Sequence, residues 1–482
     1  MNLYVWNNTF WFELENLTRL FFPNEKIAVY KEFSEVREPY IFTELGDGIT
    51  VRVKIGGFDE VRRADVQADN ARNELATVQL LYRLLSRFSG IDQPWGLLTG
   101  VRPIKLMRKL CRELGEEAAA ERFCGEYYVS PQKTALAQLT EKHEQKIISL
   151  SRPESFSLYV GIPFCPSRCS YCSFVMASVE RARKLMDPYC DLLCEEIGET
   201  AQIASDLGLR LESVYFGGGT PTTLSAEQLD RVLGTVCRSF DLGTCREFTV
   251  EAGRPDTIDR ERLCALKENK VDRISINPQT LNDSVLQKIG RKHTAAQFLQ
   301  AFSLAQACGF DNINTDLIAG LPTDTEESFR RSLDTVLDLG ASCVTVHTLC
   351  MKRAANLTTE GKTLDRAEAL TARAMVDYAQ QTLTESGYIP YYLYRQTRMV
   401  GNLENVGWSK PGYESLYNVY VMDETHTILA CGSGGVTKLR DPHSDYLQRV
   451  FNFKYPYEYI GRFEEMRQRK AEIKRFYGTI CG

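Results

Sequence analysis

A chain of 482 residues is long enough for about three domains, or for one large barrel with additions. Its net charge of −5 excludes a strongly basic protein that lives on phosphate backbones, so no nucleic-acid partner is expected. With 43% apolar and 10% aromatic residues it is not a disordered chain, and fifteen cysteines are too thinly spread for a disulfide scaffold.

Cys194, Cys237, Cys264, Cys308 and Cys343 stand singly in apolar patterns and read as reduced, buried thiols. The N-terminal MNLYVWNNTFWFELENLTRLFF has no basic start and is broken by acids, unlike a signal peptide. No run approaches 18 apolar residues, and FYGTICG carries no lipidation signal. A soluble cytoplasmic protein with no membrane partner is therefore expected.

Residues 1–150 read as a separate α+β unit of unknown role. YIFTELGDGITVRVKI alternates around Gly46-Asp47-Gly48, a hairpin signature. Residues 70–88 form an amphipathic helix with Leu75, Val78, Leu81, Leu84 and Leu85 on one face. A turn-rich connector, 95–103, leads to a charged helical stretch over 104–122. The polar SRPES at 151–155 marks the first boundary.

From Ser157 the pattern becomes strand, then helix, repeated. Strands are expected at 157–162, 211–216, 246–251, 272–277, 313–318 and 342–347, with helices between them such as 226–240 and 295–308. Short apolar strands alternating with helices make a parallel sheet. The fold class is α/β: a partial (β/α)6, TIM-like barrel over 151–350. An N-terminal α+β extension and a C-terminal α+β domain, 351–482, that covers the substrate flank it. In such a barrel reactive groups sit after the C-terminal ends of strands. The unusual residues fall there: Cys165, Cys169 and Cys172 after strand one, Gly217-Gly218-Gly219-Thr220 after strand two, Glu251 ending strand three, Gln279 after strand four and Asp316 in strand five. The last third opens with a helix over 364–386 and continues into a tyrosine-rich segment closed by Gly432, Gly434 and Gly435.

The cysteines have the spacing C-x3-C-x2-C. Three thiolates cannot close a four-ligand zinc site, but they can hold three irons of a [4Fe–4S] cluster and leave the fourth open. A zinc site completed from elsewhere, or a loop of free thiols, are the alternatives. The Gly217–Gly219 run lets backbone groups approach a ligand closely, and an acid inside INTDLIAG, Asp316, needs a partner.

YVGIPFCPSRCSYCSF resembles the cluster loop of radical S-adenosylmethionine (SAM) enzymes. From about Leu158 to Lys438 the chain resembles the oxygen-independent coproporphyrinogen III oxidase family, in YFGGGTPT, NTDLIAGLPTDT and NLENVGWSKPGYES. The N-terminal extension and EAGRPD are most similar to its HemZ-type coproporphyrinogen dehydrogenases. The resemblance implies a radical SAM barrel holding a [4Fe–4S] cluster on Cys165, Cys169 and Cys172, with SAM on the open iron. Tyr159, Gly218 and Glu251 match contacts to that SAM, and Tyr159 matches the family's catalytic tyrosine. Tyr171, Gly219, Thr220, Gln279, Arg291 and Asp316 match a second SAM pocket.

The reaction implied is oxygen-independent: reductive cleavage of SAM, hydrogen abstraction from a propionate, and loss of CO2 to leave a vinyl group. It belongs to porphyrin and haem synthesis under anaerobic conditions. A tetrapyrrole substrate, a reductant such as flavodoxin or ferredoxin, and a monomeric chain follow. Lys352, Arg353 and Arg395 are the expected carboxylate clamp, and His347 a satisfied buried histidine. The chain departs from the best-known members at Phe174, where they carry a further cysteine, and at Gly161, where they carry a histidine. The alternatives are a haem chaperone of the HemW type, another radical enzyme acting on a tetrapyrrole, and a binding module that does not cleave SAM.

Overall fold

A computed structural model describes all residues except 34, 175, 352–364, 481 and 482. By its internal contacts the chain divides into two units. One comprises Met1–Glu141, a stretch ending at Leu370, and Tyr394–Glu404; the other holds the rest of the chain from Lys142 onward.

The first unit is built on five strands: β1 (Asn2–Trp6), β2 (Ala28–Tyr30), β3 (Tyr40–Leu45), β4 (Ile49–Ile55) and β5 (Phe58–Ala64), in the order β2-β1-β3-β4-β5. The expected hairpin is β3–β4, closing where Leu45 pairs Ile49. Helices α1 (Trp11–Phe21) and α2 (Asn70–Ser89) belong to the same unit. Leu14 and Leu17 join Leu81, Leu84 and Leu85 and the β-strand residues Leu3, Ile41 and Val51 in one core. The Asp69 side chain caps α2 by accepting from the Arg72 amide, and Gly90 ends it at φ 66°. The stretch expected as one helix over 104–122 is two, α3 (Pro103–Leu114) and α4 (Glu116–Gly125). They are split at Gly115, whose φ of +88° no helix accommodates. A further helix, α5 (Pro131–Ile148), follows.

The second unit is organised by one sheet. Six parallel strands form its centre: β6 (Ser155–Ile162), β9 (Arg210–Gly218), β10 (Glu247–Glu251), β11 (Arg273–Ser275), β12 (Asn312–Ala319) and β13 (Cys343–Thr348), neighbours in that order. They coincide with the six expected strands. Between β6 and β9 lie β7 (Phe164–Cys165) and β8 (Ala177–Ser178), a two-stranded pair that brackets the cysteine loop. The helices that cross between barrel strands are α6 (Val179–Asp206), α7 (Ala226–Ser239), α8 (Arg260–Glu268), α9 (Asp283–Lys288), α10 (Ala295–Ala307) and α11 (Glu326–Asp338). Capping boxes at Ser225 and Thr294 start α7 and α10.

The C-terminal segment extends the barrel's own sheet at both edges. After α12 (Arg366–Glu385), the strands β14 (Ile389–Tyr394) and β15 (Asn405–Ser409) continue the same sheet beyond β13. Beyond β6 lie β16 (Thr427–Cys431), β17 (Val436–Arg440) and β18 (Leu447–Phe451). β15 runs antiparallel to β13 and β16 parallel to β6, so the barrel's two open edges are both paired. Unpaired backbone groups at a sheet edge need partners, and this segment supplies them. The eleven strands form an open sheet ending at β14 and β18. Three helices complete the unit: α13 (Leu416–Asp423), α14 (Pro456–Gly461) and α15 (Phe463–Ile480).

The C-terminal segment is locked by a buried carboxylate. Glu196 of α6 is fully buried and accepts from Lys470 Nζ at 2.9 Å, Tyr459 Oη at 2.6 Å, Asn452 Nδ2 at 2.8 Å and the Gly432 amide at 2.7 Å. Four donors offset the cost of burying that charge.

Candidate cluster and nucleotide site

The C-terminal ends of the parallel strands bring most of the expected residues together. After β6 the chain runs through Phe164 and Cys165 into the cysteine loop. The Gly217–Gly219 turn ends β9 beside it. The Gly219 amide donates to Ile162 O and the Thr220 amide to Phe164 O, both at 2.7 Å, while the Thr220 hydroxyl lies 3.3 Å from Cys165 Sγ. A Cβ on Gly219 would come within 2.5 Å of Phe164 O, so only glycine permits this approach. Gly218 has φ +105°, and a Cβ there would face the Tyr159 hydroxyl at 3.4 Å.

The thiols of Cys165, Cys169 and Cys172 are reduced, and Cys169 is the most buried. Burial pushes the Cys165 thiol up to about 11, against the hydrogen bond from Thr220. Among the described residues no group of three or more His, Cys, Asp or Glu side chains converges on a single ion. A cubane does not ask for that: each iron takes its own thiolate, so three sulfurs splay round it. Three thiols on one loop, bracketed by β7 and β8 and flanked by buried guanidinium groups, fit such a group.

Tyr159, Tyr215 and Tyr417 stack inside the barrel. Ring centroids are 6.4 Å apart for Tyr159–Tyr215, 4.3 Å for Tyr215–Tyr417 and 6.3 Å for Tyr159–Tyr417, all within 18° of parallel. The Tyr159 and Tyr215 phenols are held well above their ordinary value by burial and the nearby Glu251 charge, so both remain donors. Tyr215 Oη donates to Glu251 Oε1 at 2.5 Å. Burial pushes the Glu251 carboxyl up, the Tyr215 hydrogen bond pulls it down, and the Asp316 charge raises it again; it settles at about 7.

The second group of expected residues is linked in pairs. Arg291 donates to Tyr171 Oη at 3.2 Å and to the carbonyls of Asn277 at 2.9 Å and Gly253 at 3.2 Å. Gln279 is held at φ +69° with its amide on Asp316 O, a strained backbone of the kind that gathers at sites. Asp316 has found its partner: His347 Nε2 lies 3.7 Å from Oδ2, and Asn314 Nδ2 donates to Oδ1 at 2.8 Å. Burial pushes the Asp316 carboxyl up, but His347, Asn314 and Thr345 together outweigh it and leave the group below its ordinary value.

The expected carboxylate clamp fares differently. Lys352 and Arg353 lie outside the described residues. Arg395 belongs to the first unit, and this corrects the expectation for it. It is buried, its guanidinium donates to the carbonyls of Leu98 and Asn402, and it stacks over Trp95. Nη1 and Nη2 are taken by the backbone while the buried Nε has no hydrogen-bond partner among the described residues, and burial lowers the group to about 10, against the raising effect of Glu404. A cavity of about 500 Å3 lies at the other end of the strands. It is lined by His143, Lys146, Arg246, Glu247, Asp272 and Glu414. It contains none of the residues matched to cluster or SAM.

Two departures now have a physical setting. A Cβ on Gly161 would lie 2.9 Å from Ser433 O, and one on Gly432 would lie 2.3 Å from Gly161 O. The end of β16 therefore occupies the space a histidine at 161 would need. Phe174 is 61% exposed. Reading the sequence missed Tyr215 and Arg254 as partners of the site. The signal for Tyr215 was its place opposite Tyr159, on the inward face of the neighbouring strand.

The general model of the radical SAM superfamily matches residues 159–336. The chain is 36% identical over 477 residues to the oxygen-independent coproporphyrinogen-III oxidase-like protein HemZ of Bacillus subtilis, covering 95% of this chain and 94% of HemZ. It belongs to that radical SAM family. It is also 34% identical to the heme chaperone HemW of Lactococcus lactis, over 60% of this chain and 72% of that one. The solved structure of Escherichia coli coproporphyrinogen III oxidase (HemN), a radical SAM enzyme, superposes with a TM-score of 0.53 at 22% identity, over 66% of this chain and 71% of that one. That likeness establishes the fold. Proteins of this superfamily use a [4Fe–4S] cluster and SAM, and those are the cofactors of this family member.

Proposed function

We propose that this protein catalyses the oxygen-independent oxidative decarboxylation of coproporphyrinogen III, turning propionate side chains into vinyl groups. The reading rests on one observation: the cysteine loop, the Gly217–Gly219 turn and Glu251 share the C-terminal ends of three adjacent strands, in a chain similar to HemZ over 94% of that protein. Cys165, Cys169 and Cys172 would hold the cluster. When reduced, the cluster supplies the electron that cleaves SAM.

The chain's own residues do the rest. The Gly217–Gly219 backbone makes room for the amino-acid end of SAM, and Glu251 offers its carboxylate to a hydroxyl or ammonium group. Tyr159 presents a protonated phenol beside Gly218. The stacked tyrosines fill the barrel axis and keep water from the reacting carbon. Tyr171, Arg291, Gln279 and Asp316 form the second pocket at the mouth, and the tetrapyrrole's carboxylates meet Lys352 and Arg353. The reductant is a flavodoxin or ferredoxin, and the chain works in the cytoplasm as a monomer.

A second reading is favoured by Phe174, where the cysteine of the best-known oxidases is missing: a haem-binding chaperone like HemW. Anaerobic protein loaded with iron and sulfide, then given dithionite, SAM and coproporphyrinogen III, separates them. 5′-Deoxyadenosine with product lighter by CO2 and two hydrogens for each propionate converted supports the oxidase. Tight haem binding in a titration, with no turnover, replaces it by the chaperone.

A further inference from the structure

The loop that leaves β10 carries an arginine to which neither the resemblance nor the likeness to HemZ and HemW gives a part. Arg254 is only 3% exposed. One edge of its guanidinium is held by Asp256, Nε to Oδ1 at 3.1 Å and Nη2 to Oδ2 at 3.3 Å. The remaining donors turn to the cysteine loop. Nη2 donates to Ser167 Oγ at 3.2 Å, and Nη1 lies 3.5 Å from Ser167 O and 3.7 Å from Cys169 Sγ. Ser167 in turn donates to Gly290 O at 3.0 Å, which ties the loop to the turn before Arg291. A planar fork with five fixed donors suits this double task, since a lysine at the same place could not grip Asp256 and the loop together.

Hydrogen bonds to the ligating sulfurs and the net charge around them set the reduction potential of an iron–sulfur cluster. A buried cation favours the more negative, reduced state. We infer that Arg254 is a positioning residue for the cluster, pinning its loop at Ser167 and raising its potential through Cys169. The inference rests on the radical SAM reading and assigns to the stretch after Glu251 a hold on the cluster as well as on SAM.

The test uses the full chain, loaded anaerobically with iron and sulfide. The midpoint potential is read by mediated redox titration with EPR detection, without SAM. Arg254→Gln is expected to move the potential down and Arg254→Lys to move it less. Asp256→Asn is expected to move it up, because that carboxylate partly offsets the guanidinium charge. A merely structural arginine would give no shift, or shifts of one sign in both, and either result overturns the inference. If Arg254→Gln fails to fold by circular dichroism, Asp256→Asn decides alone: an unchanged or lowered potential rejects it. Loaded clusters with equal potentials discard this inference and leave the radical SAM reading standing. A wild-type chain that binds no four-iron cluster removes both.

Discussion

The two ends of β10 carry glutamates that are treated in opposite ways. Glu247, at the N-terminal end, accepts from Ser415 Oγ at 3.0 Å, the Leu416 amide at 2.7 Å, the Tyr417 amide at 3.4 Å and Thr249 Oγ1 at 3.1 Å. It caps α13 and places Tyr417 in the tyrosine stack. Glu251, at the C-terminal end, accepts from one donor among the described residues, Tyr215, and burial pushes it up to about 7. Both acids are held by one strand in one sheet, so sequence type does not separate them. The number of donors does. The saturated end builds the barrel, and the under-satisfied end keeps capacity for a ligand.

The contrast can be broken most severely at the cysteines. Cys165→Ala, Cys169→Ala and Cys172→Ala are each expected to abolish uptake of four iron and four sulfide while shifting the denaturant midpoint little. A variant that keeps its full iron content would erase the functional end. At the structural extreme, Glu196→Ala strands Lys470 and three further donors, and is expected to cost about 3–5 kcal/mol in urea unfolding.

Glu247→Ala should cost less, about 1.5–3 kcal/mol, and leave iron content unchanged. If it lowers cluster loading as much as stability, the two ends are not separable. Glu251→Gln should show the reverse pattern: SAM cleavage lost, stability kept. It should also change the pH dependence. The folded chain keeps the Glu251 proton up to about 7, whereas the unfolded chain releases it near 4.5. The folded state thus binds more protons in that window, so this group's contribution to stability falls as pH rises through it and levels off above. Subtracting the Glu251→Gln curve from wild type should reveal that slope; equal curves would mean that the carboxyl is not raised. The smallest change is Tyr215→Phe, which removes the one downward influence of a donor and should move the same window to higher pH.

Much of this was legible in the sequence, because parallel strands buried on both faces declare themselves as short apolar runs. All six barrel strands, the α2 face and the hairpin at Gly46–Gly48 stand where the pattern put them. The cysteine loop and the glycine turn were legible because their spacing is itself the chemistry. The last third was not. TILAC and NVGWS are too short to reveal whether they start a new core or pair with existing edges, NVGWS with Cys343, 66 residues before Ser409, and TILAC with Phe156, 271 residues before Thr427, and distant hydrogen-bond partners leave no periodic trace. Arg395 misled for a related reason: a cation among tyrosines looks like a clamp, and only its carbonyl partners show it is masonry. Arg254 was passed over because a charge in a loop is usually solvated, and its burial depends on the cysteine loop folding back over it.

The glycine pair at 161 and 432 sets how near β16 can lie to β6. With β16 pressed so near β6, restoring an imidazole at 161 by itself would collide with a backbone that no rotamer change can clear. Seating an imidazole there therefore takes a shift of the neighbouring chain as well as the substitution itself.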